Sequence, residues 1–236
     1  MRTEVEPNPT LEPFPVGQRK DVTMADLEHL ESLEAYEKWF QEVSSLPRNH
    51  IVTWQRYYID QHFRPRPGTR ILDVGAYIGN NLLRYGKEGH EIDGIEVGSG
   101  YCKTWSFRKA TEMTPEEAGR TRMINCLFET WQPDRVYQHI LCCEVLEHVI
   151  EPGMFVDKMA GVLQDAGELF IATPQVKTRT AVRLVAPKDM RRWVEEADME
   201  VVEFIEAIPR KRTDGPTDWG VAQWICIARK QEADPA

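Results

Sequence analysis

Arg70-Ile71-Leu72-Asp73-Val74-Gly75-Ala76-Tyr77-Ile78-Gly79-Asn80 decides how this chain is read. It predicts a buried strand that runs into a glycine-bearing turn and then a helix, an order that brings backbone close to a nucleotide-like ligand. A second strand, Ile92-Asp93-Gly94-Ile95-Glu96-Val97, follows and ends on an acid. A carboxylate at that offset accepts hydrogen bonds from both hydroxyls of a ribose. Further on stands a third apolar segment, Ile140-Leu141-Cys142-Cys143, which continues into Glu144-Val145-Leu146-Glu147-His148-Val149.

Working outward from these segments, strands and helices alternate, the pattern of a parallel sheet with helices on both faces. Strands are predicted over 70–74, 91–95, 123–127, 138–142 and 168–173, with helices over 80–85, 154–163 and 187–197. Thr114-Pro115-Glu116-Glu117 reads as a capping box with proline at the first helical position. Two late strands, 200–207 and 221–228, joined through 209–220, form an expected antiparallel hairpin. Upstream, Pro7, Pro9, Pro13 and Pro15 discourage helix, so residues 1–20 are expected to be a flexible tail. Apolar residues at helical spacing predict helices over 23–43 and 48–63, closed by Pro47 and by Pro65, Pro67 and Gly68. The expected division is tail 1–20, a helical unit 21–66, an α/β domain 67–230 and a short tail 231–236.

Composition narrows the class. A chain of 236 residues with 42% hydrophobic and 28% charged residues is ordinary for a packed α/β domain with an added N-terminal element. There is no apolar run of membrane length and no signal-peptide core, so a cytoplasmic protein with no membrane partner is expected. Cys102, Cys126, Cys142, Cys143 and Cys226 include no C-x-x-C pair, which argues against a disulfide framework or structural zinc. The formal net charge of −9 disfavours a nucleic-acid partner.

The three segments, in this order, resemble the class I S-adenosylmethionine-dependent methyltransferases, over about residues 48 to 230. The resemblance implies a Rossmann-like fold: a seven-stranded, mostly parallel sheet with a C-terminal antiparallel hairpin and leading N-terminal helices. It implies S-adenosylmethionine as cofactor, with Asp73, Gly75, Ala76, Tyr77 and Gly79 at its amino-acid end. Glu96, followed by Val97, would hold the ribose, and the Cys126-Leu127-Phe128-Glu129 loop would meet the adenine through Leu127 and Phe128. Cys143 would lie beside the cofactor, and Arg56 would reach its carboxylate from the second leading helix. The family usually has glycine where this chain has Tyr77, so Tyr77 either keeps an ordinary backbone conformation or accepts strain. The leading helices are then a lid, or simply pack on the sheet edge.

Glu144-Val145-Leu146-Glu147-His148 has two readings. On a helix, Glu144, Glu147 and His148 would share one side and offer hard ligands to a divalent ion. The same E-x-x-E-H pattern occurs in ubiquinone-biosynthesis O-methyltransferases and small-RNA 2′-O-methyltransferases, where it goes with Mg²⁺; in metal-independent relatives it caps a helix. Glu144 and His148 are also the nearest candidates for a base that deprotonates a hydroxyl. Lys177, Arg179, Arg183, Lys188, Arg191 and Arg192, with Arg210, Lys211 and Arg212, form either an anion-attracting border or a solvated face. Trp39, Tyr57, Tyr58, Trp105 and Trp219 either line an apolar mouth or lie in the core. The expectation is methylation, most simply at oxygen, of a small anionic acceptor by an enzyme that can form a homodimer. The alternatives are an RNA or nucleotide methyltransferase and a non-catalytic S-adenosylmethionine-binding module.

Overall fold

The computed structural model describes residues 2–5, 59–176, 181–209 and 222–231. Its strands are β1 (Arg2–Val5), β2 (Arg70–Val74), β3 (Glu91–Glu96), β4 (Thr121–Asn125), β5 (Tyr137–Cys143), β6 (Leu163–Pro174), β7 (Met199–Pro209) and β8 (Gln223–Lys230). Between them lie helices α1 (Asn80–Lys87), α2 (Ser99–Glu112), α3 (Pro115–Gly119), α4 (Pro152–Val162) and α5 (Pro187–Glu196), and a 3₁₀ turn at Leu146–His148. The expected helices over 23–43 and most of 48–63 lie outside the described residues, as do Arg56, Trp39, Tyr57, Tyr58, Trp219, Lys177, Arg179, Arg210, Lys211 and Arg212.

One sheet runs β1-β7-β8-β6-β5-β2-β3-β4. All neighbours are parallel except β8, which is antiparallel to both β6 and β7. The seven strands from β7 to β4 are those expected from the sequence, with β8 as the late antiparallel strand. An eighth strand corrects the reading of residues 1–20 as a wholly flexible tail: Arg2–Val5 pairs in parallel with Glu206–Pro209 of β7. The physical reason is that β7 would otherwise offer an open row of N–H and C=O groups, and residues 2–5 precede the first proline.

Burial explains why near-continuous apolar runs became central strands. In β2 every residue after Arg70 is buried, and in β3 every residue after Glu91, as two-sided coverage requires. Alternate residues feed two cores. Leu72, Ile140 and Ile171 face Phe155, Val156 and Met159 of α4 and Met190 and Val194 of α5. Ile71, Leu141 and Phe170 face Leu82 and Tyr85 of α1, Trp105 of α2, and Ile59 and Phe63. Each fully buried side chain of this size stabilises the fold by about 1.5–3 kcal/mol. α3 starts as its sequence demands: Thr114 accepts from the Glu117 amide, Glu117 accepts from the Thr114 amide, and Pro115 occupies the first turn.

One polar cluster is built into this interior. Asp93, 4% exposed, accepts from Tyr137 Oη at 2.6 Å and from Arg122 Nε and Nη2 at 3.0 and 2.8 Å. Arg122 also donates to Asp134. These bonds tie β3, β4 and the start of β5 together near their amino ends.

Strand order positions the site. From β2 the chain steps outward through β3 and β4, then returns to the other side of β2 with β5 and β6. The carboxyl ends of β2 and β5 therefore flank a topological switch point, where open α/β sheets form their ligand crevice.

Candidate functional site

The turn after β2 is fixed by its hydrogen bonds. The amides of Gly75 and Ala76 both donate to Ile95 O at 3.0 Å, and the Gly79 amide donates to Ala76 O at 2.9 Å. Gly75 and Gly79 have φ of 75° and 76°, in the left-handed region. A Cβ on Gly75 would stand 2.4 Å from Val145 Cγ2, and one on Gly79 2.2 Å from the Trp105 ring. Glycine is thus required twice over, for φ and for space. Trp105 is 2% exposed and supports the turn from below, so it belongs to the core and not to a mouth. Ala76 is buried.

Tyr77 takes the strained alternative, with φ 50°. Its amide donates to Glu96 Oε2 at 2.8 Å, and its ring lies 4.2 Å from that of Tyr101. Glu144, just past β5, also has a left-handed backbone, φ 56°. The carboxyl ends of β2 and β5 thus each carry a non-glycine residue in a costly conformation, a pattern that clusters at functional sites.

Glu96 closes the other side. Its Oε1 accepts from the Gly98 amide at 2.8 Å, so each carboxylate oxygen holds one backbone donor and retains further accepting capacity. Burial pushes its pKa up, against the hydrogen bonds from Gly98 and Tyr77 that favour the charged form. Asn125 Nδ2 donates to Glu96 O and Val97 O, both at 2.9 Å, and holds half-buried Val97 at the crevice edge. Asp73, 3% exposed, accepts from Asn81 Nδ2 at 3.1 Å. Burial pushes it up to about 7, with the hydrogen bond from Asn81 opposing and the Glu96 charge adding.

Phe128 departs from its expected place. It is 4% exposed and packs against Trp131 and Phe155 in the core under α4, so its ring is not a free wall for a base. The reason is local: Trp131, three residues on, supplies the partner that a 3.6-residue turn brings alongside. Half-buried Leu127 and Cys126 remain at the end of β4, beside Asn125.

At the end of β5, Cys143 is half-buried, and burial raises its thiol well above the ordinary range. The helix expected to align Glu144, Glu147 and His148 is only the 3₁₀ turn Leu146–His148, and Glu144 stands outside it. Glu144 is bound by Gln223 Nε2 of β8. Glu147 is 1% exposed, its Oε2 makes no hydrogen bond, and burial pushes it up to about 8. His148 Nε2 lies 3.7 Å from Glu147 Oε1. Among the described residues no group of three such side chains gathers around a cation position. The expected three-ligand Mg²⁺ set therefore does not fit: one carboxylate is turned to Gln223 and another is sealed in the interior.

Those of the basic residues that are described are dispersed. Arg191 lies over the Phe204 ring and Arg192 faces Asp189 and Glu196. Lys188 is exposed on α5. Arg183 differs. Its amide donates to Glu147 O and its Nη2 to Ile150 O, while Nε is buried without a partner. Asn81, Gly98, Asn125 and Gln223 complete the site without having been singled out from the sequence. Asn81 and Gly98 adjoin motif residues, whereas Gln223 arrives from a strand 79 residues away and leaves no local signal.

A glycine turn, a strand-end acid and a switch point in this register define a class I S-adenosylmethionine-dependent methyltransferase. The chain belongs to the methyltransferase domain family, whose model matches residues 48–209. It is similar to the ubiquinone biosynthesis O-methyltransferase of Alkalilimnicola ehrlichii, 24% identical over 184 residues, covering 68% of this chain and 72% of that one. Its fold is similar to the glycopeptide N-methyltransferase MtfA complexed with S-adenosylmethionine, at TM-score 0.59 and 12% identity, over 78% of this chain and 96% of that chain. The cyclase SpnF superposes at TM-score 0.63 and 16% identity, over 79% of this chain and 85% of that chain.

Proposed function

We propose that the protein methylates a hydroxyl of a small anionic molecule, with His148 as base and Arg183 as anion anchor. The observation that carries this reading is Arg183 Nε, a buried, unpartnered cationic donor beside the Glu147–His148 turn. Such a donor is costly unless an acceptor reaches it, and an anionic acceptor supplies one. Similarity to an O-methyltransferase supports oxygen as the nucleophile. The described cations on α5 are separately occupied or scattered, which gives an RNA backbone no continuous track. No helix among the described residues is long and apolar enough to cross a membrane, and a cytoplasmic enzyme fits this reading.

S-adenosylmethionine, when bound, supplies an already activated methyl group. The protein's part is to hold acceptor oxygen, methyl and sulfur in line, which lowers the barrier chiefly through positioning. Asp73 and the 75–79 turn would receive the amino-acid end, and Glu96 the ribose. Val97 and Leu127 would border the adenine, and Cys143 would lie beside the cofactor. His148 takes the hydroxyl proton as the oxygen attacks. Glu147 Oε1 faces the imidazole from the buried side, 3.7 Å from Nε2. Replacing His148 with alanine is expected to lower kcat by about 10²–10⁴-fold. Replacing Arg183 with glutamine should raise KM for the acceptor with kcat little changed. Mass-spectrometric turnover of a panel of phenols with and without acidic groups checks both; equal turnover of neutral and anionic phenols would sink the anion anchor.

Cofactor affinity should depend on pH through Asp73. Its pKa of about 7 in the free protein means that, at lower pH, a proton must leave before the carboxylate can face the cofactor's ammonium. Affinity is therefore full above pH 7 and falls by up to about tenfold per unit below it. Glu96, also raised, acts in the same direction. Calorimetry in buffers of different ionisation enthalpy should show proton release at pH 6, little at pH 8, and much less of either in Asp73→Asn.

A further inference from the structure

The opposite end of the sheet carries a second constellation that the methyl-transfer site does not use. Register places His139 of β5 opposite Glu168 of β6, Glu168 opposite Arg229 of β8, and Arg229 opposite Glu200 of β7. Direct cross-strand partners share a face, so four ionisable residues form one row across four strands. Two residues further along each inner strand, the same face is apolar, with Leu141, Phe170 and Ile227. The polar row therefore marks the point where the core gives way to a cavity of about 720 Å³, which Arg64 and Arg66 also line. That volume lies within the range of small-molecule sites.

The row is not electrically self-satisfied. Arg229 Nη2 is paired with Glu168 Oε1 at 2.7 Å, and Lys230, at the rim, spends its ammonium on Ala160 O and Leu163 O. Among the described residues, Arg64 and Arg66 have no carboxylate partner. His139 is 7% exposed, with its ring against Phe63, and its Nδ1 is buried without a hydrogen bond. The nearest carboxylate oxygen to Nδ1, Glu168 Oε2, is 3.9 Å away, beyond hydrogen-bonding reach. His139 lines the cavity, and a buried ring nitrogen without a partner calls for a ligand, a water or an explanation of another kind. Two unpaired guanidiniums at the mouth specify the ligand's charge, because their planar donor forks match tetrahedral oxyanions.

We propose that this cavity at the amino-terminal end of the sheet binds the phosphate group of a small molecule, held by Arg64 and Arg66 with His139 at its floor. Glu200 sits on the far side of the row as a like charge that limits affinity and favours well-placed oxyanions over diffuse ones. An occupant would join the segment just before β2 to the ends of β5, β6 and β8, at the opposite end of the strands from the cofactor crevice.

The test uses the full chain, titrated with inorganic phosphate and, separately, phenyl phosphate at constant ionic strength, with chloride as control. Calorimetry and the ring ¹⁵N shift of His139 are the readouts. Saturable binding at millimolar or lower concentration is expected. The Arg64→Gln/Arg66→Gln variant, altered only at exposed positions, should weaken it at least about tenfold. Glu200→Gln should tighten it several-fold, an effect that a merely structural row would not produce. Tighter binding of phenyl phosphate than of phosphate assigns the site to an esterified metabolite, and equal binding to the free anion. A response that does not saturate, that chloride reproduces, or that survives unchanged in the double variant overturns the proposal. S-adenosylmethionine affinity, measured in the same samples, should be unaffected, so failure here is separable from failure of the methyltransferase site.

Discussion

Glu96→Ala is expected to weaken S-adenosylmethionine binding by about a hundredfold or more, with folding retained. Two oxygens of this carboxylate already accept the Tyr77 and Gly98 amides at 2.8 Å, which holds the group rigid and aimed across the crevice. Ribose hydroxyls would add charge-assisted hydrogen bonds of about 1.5–3 kcal/mol each, so loss of two exceeds a hundredfold in affinity. The variant loses a second effect as well. Without its acceptor, the Tyr77 amide no longer compensates for a left-handed tyrosine, and the turn should relax. Glu96→Gln separates the two. It keeps one accepting oxygen and should fall between wild type and alanine. A Glu96→Ala protein that binds the cofactor within a few-fold of wild type would remove Glu96 from the site.

The largest stability effect is expected at the other end of the same strand. Asp93→Ala should cost about 3–5 kcal/mol, because it strips a buried carboxylate from Arg122 and from the Tyr137 hydroxyl. Arg122 keeps Asp134, so its charge is only partly stranded. Tyr137, 1% exposed, loses the 2.6 Å acceptor of its buried hydroxyl. The double variant Asp93→Ala with Tyr137→Phe should therefore lose less than the sum of the singles. Urea denaturation of the four proteins checks this. Additive losses, or a single-variant cost below about 1 kcal/mol, would show that the cluster is not coupled as its geometry requires.

What the chain revealed before its structure follows from how local each signal is. Strand β2 and its turn were legible to the residue, because an apolar run, an acid and two glycines leave few conformations open. Strands β4 and β6 start earlier than expected, at Thr121 and Leu163, since Arg122 and the 164–167 stretch carry polar residues that periodicity assigns to loops. Arg122 is satisfied by a distant partner, Asp93. Glu144, Glu147 and His148 share helical spacing on paper, yet a single residue in left-handed conformation at Glu144 turns the first away from the others. Nothing in the sequence around Glu144 announces Gln223 as its partner. Phe128 was similarly unreadable, because whether an aromatic at a strand end faces a ligand or a core depends on helix α4, whose Phe155 takes it up.

The proposed place of S-adenosylmethionine is the carboxyl ends of β2 and β5, under the hold of Glu96. An amide-resolved NMR titration of the full chain with S-adenosylhomocysteine tests it most directly. Saturable shifts concentrated at Gly75, Tyr77, Gly79 and Gly98, with the amides around His139 and Glu168 unmoved, are the predicted result. No saturable shift, or shifts centred on the amino-terminal end of the sheet, would contradict it.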